Sequence, residues 1–92
     1  MSYDIDTLLV HAGEPRPRIE GAVSTPIFCS ANFEAAEEES YHDIRYLRLN
    51  NTPNHLVLHK KLAAIERGES ALVTSSGMAA ISTLVLALCA RN

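Results

Sequence analysis

The residues best suited to chemistry in this chain are those that hold anions. Tyr46 and Arg48 stand two positions apart. In extended backbone, side chains at i and i+2 point the same way. A guanidinium is the preferred fork for a phosphate or carboxylate, and a tyrosine hydroxyl adds one more hydrogen bond. Farther along, Ser75-Ser76-Gly77-Met78 falls where a short apolar run gives way to a helical pattern. Helix N-termini aim free N–H groups and partial positive charge at anions. Ser75, Ser76 and the amides of Gly77 and Met78 would thus make a phosphate cradle. Taken singly, each motif has a plainer reading: an exposed strand with two polar residues, and a tight turn that needs small ones.

Other chemistries find less support. The four glycines fit neither GxGxxG nor a Walker A loop. Ser76 as an elbow nucleophile fails GxSxG, because Thr74 and Met78 occupy the glycine positions. His55 and His59 have the i, i+4 spacing of a two-histidine metal site, but Leu56 replaces the HExxH glutamate and no third ligand stands out. They read better as solvent-facing histidines on an amphipathic helix. The acidic run at 34–39 reads as a solvated helical turn. Cys29 and Cys89 are too far apart in sequence for a CxxC knuckle and too few for a disulfide framework.

The elements that must position the two anion binders are legible after Asn50. Thr52-Pro53 predicts an N-cap followed by proline at the first helical position. Leu58, Leu62 and Ile65 then recur at i, i+4, i+7, with Gly68 as the expected C′ residue, so Pro53 to Arg67 reads as a helix. Ser70 to Ser75 encloses Ala71-Leu72-Val73 and reads as a short buried strand. A second helix then starts at the Ser75-Ser76-Gly77 turn. Helix, strand, turn and helix predict an α/β architecture. Residues 1–32 carry Pro15, Pro17 and Pro26 and read as an irregular arm with one helical turn around Ile5 to Ala12.

Composition narrows the partners. Eight Lys plus Arg against eleven Asp plus Glu give a net charge of −3, which argues against a nucleic-acid backbone binder. Met1 to Asp6 is acidic where a signal peptide needs a basic region, so a cytoplasmic setting is expected. The stretch GMAAISTLVLALCA, Gly77 to Ala90, carries no charge. It falls short of the roughly 20 residues needed to cross a bilayer. A helix apolar all round must be buried all round, and the preceding residues are too few to wrap it. The chain therefore reads as the N-terminal part of a longer protein.

An ordered set of motifs joins these observations. Val10-His11-Ala12-Gly13, Val23-Ser24-Thr25-Pro26-Ile27, Arg45-Tyr46-Leu47-Arg48, Asn50-Asn51-Thr52-Pro53, Leu62-Ala63-Ala64-Ile65-Glu66, Gly68-Glu69 and Ser75-Ser76-Gly77-Met78-Ala79-Ala80 follow one another over nearly all 92 residues. Together they resemble the start of a trans-sulfuration enzyme, the Cys/Met-metabolism family that depends on pyridoxal 5'-phosphate (PLP). That resemblance implies the aspartate-aminotransferase-like fold (fold type I). Residues 1–52 would be an extended arm contacting the partner subunit, and 53–92 the incomplete beginning of the PLP-binding large α/β domain. It also implies a homotetramer built from tight dimers, with each PLP site shared between subunits. Tyr46 and Arg48 would reach the phosphate of the neighbour's cofactor, while Ser76, Gly77 and Met78 would hold the chain's own. The implied activity is β/γ-elimination or γ-replacement on small amino acids of the cystathionine, methionine or O-acyl-homoserine type. The lysine that bonds the cofactor is absent here, since Lys60 and Lys61 sit on the capped helix in another context. The competing reading is a non-catalytic fragment or interaction module.

Overall fold

Among the described residues, Asn50, Asn54 and Lys61, rather than a buried apolar core, tie distant segments together. The computed structural model describes residues 3–34 and 44–89, so the acidic run at 34–39 lies outside the described residues except for Glu34. Among the described residues there are three α-helices: α1, Ile5–His11; α2, Pro53–Ile65; and α3, Gly77–Leu88. Short 3-10 turns cover Ile19–Gly21 and Leu47–Leu49. α1 packs on α2, and the contact is close because of Gly13. Its φ is +78°, and an added Cβ would stand 2.7 Å from the Val57 carbonyl oxygen and 2.9 Å from the Lys61 nitrogen. Only glycine meets both demands without strain.

Lys61 closes the same junction. Its Nζ donates to the carbonyls of Leu9 and Val10 at 3.0 and 3.1 Å, at the C-terminal end of α1, where helical carbonyls lack partners. It also pairs with Glu14 at 3.3 Å. Asn54, in the first turn of α2, grips the arm on both sides. Its Nδ2 donates to Pro26 O at 2.8 Å and its Oδ1 accepts from Phe28 N–H at 2.7 Å. Residues 3–32 are irregular, as expected, apart from α1 and one 3-10 turn, and these contacts hold them against α2.

α2 begins at Pro53 with Thr52 as N-cap, as the sequence predicts, and ends two residues early. Gly68 N–H bonds Ala63 O at 2.8 Å and Arg67 N–H bonds Ala64 O at 3.2 Å. This is a Schellman closure in which the left-handed C′ residue is Arg67, at φ 55°, and not Gly68. Glycine stands one place too late for the role expected of it. Leu58 of the expected apolar stripe is exposed, while Leu62 and Ile65 are half-buried.

The α/β expectation needs correction for the residues described. Among them no strand forms, and 70–74 runs as irregular chain into the turn before α3. A strand is defined by its ladder to a neighbour, and no described segment pairs with this one. Leu72 is accordingly exposed. No apolar side chain among the described residues is buried, and Thr52 alone falls in the buried class. The radius of gyration is 15.4 Å, against about 12 Å for a self-contained domain of this length. α3 leaves Leu86 and Leu88 about three-quarters exposed. No helix of the described residues is long and apolar enough to cross a membrane.

Candidate functional site

Tyr46 and Arg48 converge by a different route from the one expected. The backbone is extended only at Tyr46 and then enters the Leu47–Leu49 turn, closed by Leu49 N–H to Tyr46 O at 2.9 Å. Asn50 leaves the turn in the left-handed conformation, φ 60°, which asparagine tolerates better than most residues. The extended i, i+2 reading is thus replaced by a tight turn, yet the side chains still meet. Arg48 Nε and Nη2 both donate to the Tyr46 hydroxyl, at 2.9 and 2.6 Å. The guanidinium carbon lies 5.0 Å from the ring centroid, within cation–π range. Both side chains are exposed, so the fork is preorganised and open to a ligand.

The cradle is built at the start of α3. Ser76 is the N-cap, with φ −156° and ψ 160°, and its Oγ accepts from Ala79 N–H at 3.0 Å. That spends one free amide of the first turn. The Gly77 and Met78 amides have no acceptor among the described residues. A Cβ on Gly77 would meet nothing within 4 Å, so the helix start faces open space. Thr74 Oγ1 donates to Ser76 O at 3.0 Å and steadies the turn.

A depression lies between Arg48 and the turn that leads into α3. Arg48, Asn50 and His55 line it together with Val73, Thr74, Ser75 and Ala79, enclosing about 490 Å³. Asn50 Nδ2 donates to Val73 O and so holds the fork's turn against the approach to the cradle. Among the described residues no carboxylate lines the depression. Ser76, Gly77 and Met78 lie beside it, exposed, at the head of the helix. A guanidinium, hydroxyls and free amides are the donor types that anions accept from.

The histidines are not the solvent-facing pair that their spacing suggests. His55 Nδ1 shares a 2.7 Å hydrogen bond with Thr52 Oγ1, so the cap hydroxyl serves a ring instead of a backbone amide. His59 Nε2 is buried with no hydrogen-bond partner among the described residues. Burial, and then the nearby His55, hold the His59 imidazole below its usual pKa. The ring centroids lie 6.4 Å apart. Among the described residues no group of three or more His, Cys, Asp or Glu side chains gathers around a possible metal. Cys29 and Cys89 are free and exposed.

Sequence reasoning missed Asn51. Its Oδ1 accepts from Tyr46 N–H at 3.0 Å and its Nδ2 donates to Ile44 O at 2.6 Å. The visible signal was an asparagine pair one residue after Tyr-x-Arg and directly before the helix cap.

Residues 6–91 match the family described as Cys/Met metabolism PLP-dependent enzyme. The chain belongs to that family. It is 40% identical over 83 residues to a cystathionine gamma-synthase of Haemophilus influenzae, covering 90% of this chain and 22% of that protein. It is 38% identical to an L-methionine gamma-lyase of Fusobacterium nucleatum, covering 88% of this chain and 22% of the relative. A cystathionine beta-lyase of Bacillus subtilis is 37% identical, covering 95% and 22%. The chain therefore spans about a fifth of the length of these relatives. No solved structure matches it.

The Cys/Met-metabolism family depends on PLP, and the donor set described above suits the cofactor's phosphate. Arg48, Tyr46 and the Gly77 and Met78 amides all offer N–H or O–H groups. Neither lysine is poised at this site. Lys61 is held at the α1 end by two carbonyls and Glu14, and Lys60 is exposed on α2.

Proposed function

We propose that these residues form the N-terminal part of a PLP-dependent enzyme of sulfur amino-acid metabolism. It carries out β/γ-elimination or γ-replacement on substrates of the cystathionine, methionine or O-acyl-homoserine type. The observation that carries this reading is the match of residues 6–91 to a PLP-dependent family, in a chain whose exposed Tyr46–Arg48 fork and α3 start both offer anion donors. Gly77 and Met78 donate backbone amides to the phosphate of the chain's own cofactor, while Arg48 and Tyr46 reach across to the phosphate of the neighbour's. Ser76 caps the helix and keeps those two amides pointing outward. When bound, the cofactor supplies an electron sink for the bonds around the substrate's α-carbon.

In the whole enzyme, 53–92 opens the large domain of a fold type I transferase, and residues 1–52 form the arm toward the partner. The 70–75 segment becomes a strand once its neighbours are present, and α3 is covered by the same sheet. The assembly is a cytoplasmic homotetramer of tight dimers in which Tyr46 and Arg48 serve the neighbour's cofactor. The residues alone lack the cofactor-bonding lysine and are inactive.

A non-catalytic module is the second reading, favoured by the structural use of Lys61. Expression of the whole reading frame separates the two. The enzyme should purify yellow with PLP and release a keto acid or thiol from cystathionine, methionine or O-acetylhomoserine. A frame with no downstream lysine-bearing strand, and a product that takes up no PLP, would establish the module instead.

A further inference from the structure

We propose that Asn51 is a positioning residue for the Tyr46–Arg48 fork, setting how tightly the fork grips a phosphate while touching no ligand itself. The inference rests on the reading of that fork as a PLP phosphate anchor. Asn51 uses both ends of its carboxamide on one short segment. It accepts from Tyr46 N–H at 3.0 Å and donates to Ile44 O at 2.6 Å. A side-chain amide can imitate a neighbouring strand in this way, satisfying backbone groups that have no ladder. The segment it holds has no other backbone partner for these two groups among the described residues.

The consequence falls on Arg48. Its guanidinium is aimed by the Tyr46 hydroxyl, and Tyr46 is placed by the bond from its own N–H to Asn51. The next residues form the Leu47–Leu49 turn, whose single closing bonds at Leu49 and Asn50 leave it few internal restraints. Releasing Ile44 and Tyr46 would let the fork swing as a unit. The phosphate would then pay the ordering cost on binding, which weakens affinity without deleting any contact. Asn54 grips Pro26 and Phe28 by the same double hydrogen bond, but that segment carries no anion-binding group, so it gives a matched control.

The test is a double-mutant cycle in the full-length enzyme, with Asn51→Ala and Arg48→Ala made singly and together. Readouts are the PLP dissociation constant, the phosphorus NMR shift of bound PLP, and the melting midpoint of the apoenzyme. Asn51→Ala should weaken PLP binding about three- to tenfold, as loss of ordinary hydrogen bonds would. In the Arg48→Ala background it should have almost no further effect. Asn54→Ala should lower the melting midpoint comparably while leaving PLP affinity unchanged. If Asn51→Ala does not fold, Asn51→Ser, whose hydroxyl cannot span both partners, replaces it in the cycle. Additive losses, or an Asn54→Ala effect on PLP equal to that of Asn51→Ala, would overturn the proposal and leave the fork intact. An Arg48→Ala variant that binds PLP normally would instead overturn the fork reading, and this inference with it.

Discussion

The carbonyl oxygen of Val57 lies 2.7 Å from where a side chain at Gly13 would begin. This contact sets how close α1 comes to α2. Gly13 also holds φ +78°, so it answers two requirements at one position. Gly13→Ala should therefore cost far more than a surface change. The left-handed backbone contributes about 1–2 kcal/mol and the forced separation about 1–3 kcal/mol. Chemical denaturation of the full-length apoenzyme should show that combined loss. Gly21, with similar φ but nothing within 4 Å of a Cβ, should lose only the backbone part on the same change. Equal losses at both glycines would show that crowding at Val57 is unimportant.

Glu14 links three parts of the chain and should make stability depend on acid. The Thr25 hydroxyl donates to its carboxylate, and this bond chiefly lowers its pKa from 4.5; burial opposes the shift, and Lys61 adds to it. A depressed carboxylate pKa means the unfolded chain binds protons before the folded one does. The stabilisation is thus fully present above about pH 4.5 and is lost as the pH falls through the lower folded value. The wild-type advantage over Glu14→Gln should be steady at neutral pH and shrink on acidification. A difference that stays flat from pH 7 to strong acid would remove Glu14 from the account.

Arg48 should act across the dimer. Arg48→Ala removes a charge-assisted contact worth about 1.5–3 kcal/mol, so PLP affinity should fall by roughly one to two orders of magnitude. Direction is decided by mixing Arg48→Ala subunits with subunits lacking the cofactor-bonding lysine. In trans action, one mixed site carries both lesions and the other carries neither, so activity returns. Mixed dimers that stay inactive would place Arg48 at its own subunit's cofactor, a geometry the shared depression with Ser75 and Ala79 would also allow.

Residues 1–92 expressed alone should be molten or aggregate. Met78, Ile81, Leu84, Val85 and Leu88 are all more than half exposed. Burying each is worth about 1.5–3 kcal/mol, in sum comparable to the roughly 5–15 kcal/mol stability of a whole domain. Dye binding without a cooperative thermal transition is the expected result. A sharp melt of a monomer would show that the segment supports itself.

The sequence by itself determined the family, the α2 start at Thr52-Pro53 and the α3 start at Ser76-Gly77. Those features are local: a cap, a fixed proline φ and a free amide depend only on adjacent residues. Local order also let the Tyr46, Arg48, Ser76, Gly77 and Met78 motifs stand out in series. What needed three dimensions was everything that joins distant segments. Gly13 reads in sequence as a mere break of period, and only the approach of Val57 reveals its purpose. Asn51 and Asn54 read as polar residues near a helix cap, and only the fold shows each one holding a separate backbone segment. The 70–75 run went the other way. Its apolar pattern is that of a strand, but a strand exists only through hydrogen bonds to a neighbour, and the described residues supply none.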